Sequence, residues 1–242
     1  MVQVLSWAAM DRESNAALAR CPLFAGLGAD ALAEVAAAGA VRTLARREVA
    51  FSEGDPADAF LVVLAGRLKL TQTSADGHEM IVRYVGPGEM CAVVALTPGD
   101  AYPVTAEAVE ETRVAAWDSG VLQGLLRRHP ELAVNALRLL SERMRELTGR
   151  LRELATEKVA RRVARALLRL ARKTGKRVEG GVLLDLPLSR EDLAAMTGTT
   201  LFTVSRLLAE WERGGLVEVG RERVVIRVPH GLVAIAEDLP KL

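Results

Sequence analysis

The chain has 242 residues, half of them hydrophobic, with two cysteines, three histidines and a formal net charge of +1. That length accommodates two domains of about 100–150 residues with real cores, and two cysteines exclude a disulfide framework and favour a reducing compartment. No uninterrupted apolar run approaches the roughly 18 residues that span a bilayer, and MVQVLSWAAMDRES turns charged too early for a signal peptide, so the expected setting is cytoplasmic and away from membranes.

In chain order, residues 1–19 are expected to form an N-terminal extension. Residues 20–128 carry short strand signals: FLVVLAGRLKL, SADGHEMIVRYVGPGEM and VTAEAVEETRVAAW mix β-branched runs with Asp-Gly, Gly-Pro-Gly and Pro-Gly-Asp turns. This punctuation predicts a small antiparallel barrel or roll, preceded by a short helix from about Asp30 to Ala38.

After Asp118 the pattern changes. Pro130 suits the first turn of a helix, and Ala133, Leu137, Leu140, Met144, Leu147, Leu151 and Leu154 then recur at alternating steps of four and three. This is a heptad seam, and the Arg and Glu between its positions favour a two-helix dimer interface over packing within its own domain. Residues 129–155 are therefore expected to be a dimerisation helix, weakened by about 1 kcal/mol at Gly149 but not broken there.

Residues 156–242 form the last predicted domain. From Arg138 to Arg177 there are fourteen Lys/Arg against four Asp/Glu, and none of the four lies beyond Lys158. Such a run reads either as a solvated helix face or as the footprint of a polyanion. Its helix, about Glu157 to Lys173, has Val159, Val163, Leu167 and Leu170 on the apolar side. After Gly175 comes a link with Gly180-Gly181, then LPLSREDLAAMTGTT, in which Ser189 and Asp192 make a capping-box start, Leu193 and Met196 face inward, and Thr197-Gly198 ends the helix. TTLFTVSRLLAEW follows at once, with Val204, Leu207, Leu208 and Trp211 on one stripe. Helix, tight glycine turn, amphipathic helix is the helix-turn-helix arrangement. LVEVGRERVVIRV then alternates as two strands around Gly220-Arg221, which supplies a wing.

The face of the second helix opposite its apolar stripe carries Phe202, Arg206, Ala209 and Arg213, flanked by Thr199, Thr203 and Ser205. A solvated helix has no use for that phenylalanine, whereas a helix in the major groove of DNA uses all of these groups. Arg206 can give two parallel hydrogen bonds to guanine, and Phe202 can pack on a thymine methyl. Ser189, Thr199 and Thr200 stand at helix starts, where hydroxyls and free N–H groups suit phosphate oxygens. Thr203 and Ser205 are placed for base or backbone contacts. Arg221 and Arg223 on the wing would add phosphate contacts and salt dependence. No P-loop, GxSxG, HExxH or dinucleotide fingerprint points to an enzyme.

From about Cys21 to Glu237 the chain resembles the CRP/FNR superfamily of bacterial transcription regulators. The matching segments are PLFAGL, FSEGDPADAFLVVLAGRLKL, YVGPGEM, the long helix after His129-Pro130, and TVSRLL with GLVEVGRERVVI. YPVTAEAVE from Tyr102 is most similar to the nitrogen-oxide-responsive, denitrification-regulator branch. The resemblance implies an α+β chain: an N-terminal cyclic-nucleotide-binding-like β-roll that senses an effector, a long dimerisation helix built on Leu137, Leu140, Met144, Leu147, Leu151 and Leu154, and a C-terminal winged helix-turn-helix. It further implies a homodimer on palindromic promoter DNA, in contact with RNA polymerase.

Departures from the family narrow the effector. Cyclic-AMP-binding members use a Glu in a GELxLF segment and an Arg-Ser pair, where this chain has Val93 and Tyr102-Pro103. An apolar pocket without a cation is a poor phosphate site, so cyclic AMP is not expected. A [4Fe–4S] cluster needs four cysteine ligands, and the chain has Cys21 and Cys91 only. Cys91-Ala92-Val93 lacks the histidine of the CO-sensing Cys-x-His. A haem, as in nitric-oxide sensing, stays among the alternatives, with His129, Met90 and Cys91 as the ligand candidates from a short set that also holds His78 and His230. Met90, Cys91, Val93 and Tyr102 are the expected effector-pocket residues. The ExxSR pattern of the oxygen-sensing branch becomes Phe202-Thr203-Val204-Ser205-Arg206, so the inner half-site should differ from TTGAT. Two other readings are a sensor or interaction module with a degenerate DNA-binding domain, and a regulator that binds DNA without a small-molecule effector.

Overall fold

The structure, a computed structural model, describes residues 8–77, 79–97 and 99–239; His78, one of the histidines above, lies outside them. The chain divides into two compact units, Met1–Arg145 and Glu146–Leu242.

In the first unit, helices α1 (Arg12–Ala19) and α2 (Ala29–Ala37) precede strands β1 (Ala40–Leu44), β2 (Val49–Phe51), β3 (Ala59–Ala65), β4 (Leu68–Thr73), β5 (Glu79–Val85), β6 (Met90–Cys91), β7 (Thr105–Ala108) and β8 (Thr112–Asp118). The strands make two four-stranded antiparallel sheets, ordered β1-β8-β3-β6 and β2-β7-β4-β5. This is the expected roll. β3 is buried along nearly its whole length, which explains why FLVVLA reads as a continuous apolar run rather than an alternating one. Trp117 is the largest fully buried side chain. Its indole N–H donates to the Val35 carbonyl at 2.8 Å, and Phe24 and Phe60 tilt against its ring. Gly66 closes the β3–β4 turn at φ +74°, where a Cβ would meet the Glu111 carbonyl oxygen at 2.3 Å. Only glycine fits that approach.

Residues 8–19, set apart by sequence as an extension, are built into this unit. Asp11 caps α1 by accepting from the Ser14 N–H, Arg113 reaches both Asp11 and Ser14, and Leu18 is fully buried. Helix α3 (Ser119–Arg128), capped by Asp118, was not legible in sequence because Gly120 and Gly124 dilute its pattern. Helix α4 (Pro130–Thr156) runs for 27 residues with Pro130 at its start. Its buried Asn135 donates to the Leu23 and Ala25 carbonyls at 3.0 and 2.8 Å, fixing the short 3-10 turn Pro22–Phe24 against the helix. The division between the units falls inside α4, at Arg145/Glu146, whereas the sequence sets the whole helix apart.

The second unit holds α5 (Val159–Thr174), β9 (Gly175–Val178), β10 (Gly181–Leu184), α6 (Arg190–Thr197), α7 (Leu201–Arg213), β11 (Val217–Gly220), β12 (Arg223–Ile226) and α8 (Pro229–Glu237). The link expected after Gly175 is a hairpin, and the wing is a four-stranded sheet ordered β11-β12-β10-β9. The reason it escaped sequence reading is that β9 is an edge strand exposed at all four residues, so it carries no in-out alternation. The wing turn is Arg221-Glu222, with Glu222 at φ +51°, and Gly220 ends β11 opposite Arg223.

Ala92, after β6, also has a left-handed backbone, φ +61° and ψ +35°, and it caps the 3-10 turn Val93–Leu96. An L-residue with a Cβ is strained there. Ala92→Gly is expected to raise the stability of the roll by about 0.5–1 kcal/mol, the relief of strain outweighing the added chain entropy; thermal unfolding followed by circular dichroism reads the shift.

Candidate nucleic-acid interface

Two helices meet at a three-residue turn. At the start of α6, the Ser189 hydroxyl accepts from the Asp192 N–H at 2.9 Å and donates to the Asp192 carboxylate at 2.8 Å, while that carboxylate accepts from the Ser189 N–H at 3.0 Å. The capping box is complete with Asp in the third position, so the Ser189 hydroxyl is engaged within the helix rather than free for phosphate. Leu193, Ala194 and Thr197 are buried, and Met196 only partly so. Gly198 ends α6 at φ +59°. Thr200 then caps α7, its hydroxyl oxygen accepting from the Thr203 N–H at 3.2 Å and lying 3.0 Å from the Thr203 hydroxyl.

Val204, Leu207, Leu208 and Trp211 are buried along the inner face of α7. On the outer face Phe202 is 77% exposed, and Arg206 is exposed with no hydrogen-bond or ion-pair partner among the described residues. Thr199, Thr203 and Ser205 are half-buried at the edges of that face. Leu201, beside Phe202, is also exposed; sequence reading missed it because it sits at the helix boundary rather than on either stripe. Arg213 folds back onto the Ala209 carbonyl at 3.3 Å. At the wing tip Arg221 is exposed and unpaired among the described residues. Arg223, expected to be its equivalent, instead donates to Glu218 at 2.7 Å, and Arg227 holds the other Glu218 oxygen. Arg223 and then Arg227 hold the Glu218 carboxyl below the usual range.

The basic run of α5 is divided: Lys158, at its start, and Arg172 are exposed, while other arginines are engaged within the unit. Arg161, Arg165 and Arg169 pair with Glu157, Glu237, Asp238 and Glu153, and Arg162 donates to backbone carbonyls. These cations fasten the unit together. The seam of α4, by contrast, stands open: Ala133, Leu137, Leu140, Met144, Leu147, Leu151 and Leu154 are all exposed, Leu137 by 65% and Leu151 by 68%, with Val134 beside them.

In the roll, Met90, Cys91 and Tyr102 all meet β3. Cys91 pairs with Leu61 and Met90 with Val62, while the Tyr102 hydroxyl accepts from the Ala59 N–H at 3.0 Å and donates to the Ala59 carbonyl at 2.9 Å. The Tyr102 ring stacks on Phe51 at 4.0 Å, and burial raises its phenol pKa. Val93 packs partly buried against the same core. Burial pushes the Cys91 thiol up to about 12 and the Cys21 thiol up to about 11. His129 is held elsewhere: its Nε2 lies 2.7 Å from Glu34, which also accepts from Arg128 at 2.6 Å. Those two partners, His129 first, keep the Glu34 carboxyl below its ordinary range. Of the three candidate haem ligands, His129 is thus engaged by a carboxylate, while Cys91 and Met90 are neighbours in β6.

Comparison with known proteins places these elements. Residues 41–129 match the cyclic nucleotide-binding domain family and residues 161–235 the Crp-like helix-turn-helix domain family. The chain is 33% identical over 189 residues to the cyclic AMP receptor protein of Thermus thermophilus, covering 78% of this chain and 84% of that one. It is 27% identical over 209 residues to a CRP-like cAMP-activated global transcriptional regulator of Mycobacterium tuberculosis, covering 86% and 93%. Among solved structures it is similar to a CRP-family transcriptional regulator of Thermus thermophilus, with a TM-score of 0.70 and 27% identity over 83% of this chain and 98% of that one. The fold is also that of FixK2 from Bradyrhizobium japonicum, with a TM-score of 0.72 and 24% identity over 81% and 96% of the two chains.

The caps at Ser189 and Thr200 each satisfy an otherwise unpaired helix N–H. Ser189→Ala and Thr200→Ala should each destabilise the second unit by about 1 kcal/mol, measured as a lowered midpoint in urea.

Proposed function

This chain belongs to the CRP/FNR family of DNA-binding transcription regulators, and from that premise we propose that it acts as a homodimer which reads a two-fold-related promoter site through α7 and is gated from its N-terminal roll. The observation that carries the DNA reading is the outer face of α7. A phenylalanine and an unpaired arginine stand in solvent one turn apart, above a fully buried inner stripe. The arginine suits the O6 and N7 edge of guanine, and the phenylalanine a thymine methyl. Thr199, Thr200, Thr203 and Ser205 border this face, and Arg221 extends it to the wing for phosphate contact. Arg223 has a lesser role, since Glu218 already neutralises it.

The dimer is supported by the exposed stripe of α4. Leu137, Leu140, Met144, Leu147, Leu151 and Leu154 repeat at coiled-coil spacing, and pairing two such helices removes that apolar surface from water. Two copies of α7 then address half-sites about one DNA turn apart, at promoters where RNA polymerase is the further partner.

For the effector, the reading is neither cyclic AMP nor a [4Fe–4S] cluster, with haem and nitric oxide kept as the alternative. The two relatives above are named for cyclic AMP, but here Val93 offers no carboxylate, Tyr102 closes its hydroxyl on the Ala59 backbone, and Arg83, the cation beside Cys91, is engaged by the Met90 carbonyl and Glu89. The nitrogen-oxide-responsive branch rests on the segment from Tyr102 alone.

Arg206→Ala is expected to weaken binding to a selected operator by about tenfold or more, the equivalent of one bidentate base contact, with the dimer intact by sedimentation. Unchanged operator affinity would overturn the assignment. Met144→Glu places a charge in the seam and should shift the dimer towards monomer and weaken operator binding with it. Reconstitution with haemin followed by nitric oxide decides the alternative: a sharp stoichiometric Soret band that shifts with nitric oxide makes the roll a gas sensor, and no specific band removes haem from the reading.

A further inference from the structure

Within the second unit, one guanidinium holds two helix ends. Arg162, in the first turn of α5, donates from Nη1 to the Glu157 carbonyl at 2.8 Å, from Nε to the Thr197 carbonyl at 3.0 Å, and from Nη2 to the Gly198 carbonyl at 3.2 Å. Glu157 is the residue immediately after α4, and Thr197 and Gly198 end α6. Carbonyls at helix C-termini lack partners within the helix and carry the negative end of its dipole. A guanidinium satisfies all three from a single fork.

The same two places touch directly. A Cβ on Gly198 would lie 3.0 Å from the Leu154 side chain, so the last turn of α4 sits against the turn of the helix-turn-helix. That last turn is fastened to α5 by Glu153 with Arg169 at 2.7 Å, and the residue after it, Glu157, pairs with Arg165 at 3.0 Å. From Gly198 the chain reaches the start of α7 at Leu201 in three residues. Leu154 is also the last residue of the exposed seam.

We infer that Arg162 is a positioning residue for DNA reading: by bridging Glu157 to Thr197 and Gly198, it makes the end of the long helix and the helix-turn-helix turn one rigid joint, so that displacement at the seam is delivered to Phe202 and Arg206. This rests on the DNA-binding reading above. It assigns Arg162 no contact with DNA, and lysine cannot replace it, because an ammonium is a single point and three separated carbonyls need the fork.

The test uses the full chain and two duplexes of equal length, a selected operator and its scrambled version. Arg162→Lys and Arg162→Gln should each lower operator affinity by about tenfold, within the range of coupling mutations, while leaving scrambled-duplex affinity unchanged. Hydrogen exchange over 197–203 should quicken in both variants. Leu154→Ala, a milder change on the other side of the joint, should cause a smaller loss of the same kind, and the double variant should lose less than the product of the two. Full operator affinity in Arg162→Lys, an equal loss on both duplexes, or strict additivity with Leu154→Ala overturns the inference with the DNA reading intact. A wild-type protein that fails to distinguish the duplexes overturns the DNA reading, and this inference falls with it.

Discussion

Along α4 the side chains from Leu137 to Leu154 stand in water on one face for about five turns, while Leu132, Asn135 and Ala136 are buried on the other side of its first half. A helix cannot cover both faces with one domain, and an apolar strip of that length is unfavourable in solvent at roughly 25 cal/mol per Å². The chain does not shorten or break the helix to escape this cost. Gly149 is its one weak interior position and has open space around it. Much else in the molecule is arranged around keeping that helix whole: Asn135 fastens its beginning to the 3-10 turn Pro22–Phe24, and Glu153 fastens its end to α5.

The arginines of α5 change how the charge pattern is understood. A basic run is ordinarily a statement about long-range field, yet Arg161, Arg165 and Arg169 each face a carboxylate within the same unit, so much of that field is neutralised close to its source. Arg172, Arg177, Arg206 and Arg221 stay exposed, with no side-chain partner among the described residues.

The roll, the long helix and the helix-turn-helix were legible because each leaves a periodic or capping signature: the Ser189–Asp192 box, the stripe from Val204 to Trp211, the heptads from Ala133. The hairpin from Gly175 to Leu184 was not, because an edge strand with both faces in solvent imposes no pattern on its residues. Nor was the packing of residues 8–19: Ser14, Ala17 and Leu18 are buried at helical spacing, but only Leu18 of the three is a large apolar side chain, so the stripe is faint in sequence. In the candidate site, sequence identified Phe202 and Arg206 by their place on the helix but missed the pairing of Arg223 with Glu218. A side-chain partner across a hairpin depends on register, and the turn was placed one residue early, at Gly220-Arg221 rather than Arg221-Glu222.

The roll follows from the same kind of local accounting. Tyr102 stacks on Phe51 and returns its hydroxyl to the backbone of Ala59, so both its apolar body and its polar tip are satisfied inside the roll. Cys91, next to it along β3, is buried with its thiol held neutral. Arg83 adds a third satisfied group there, donating to the Met90 carbonyl and pairing with Glu89. The same segment contains the left-handed Ala92. Strain and satisfied polar groups at the same place mean that the turn from Met90 to Leu96 is held in one conformation by its neighbours.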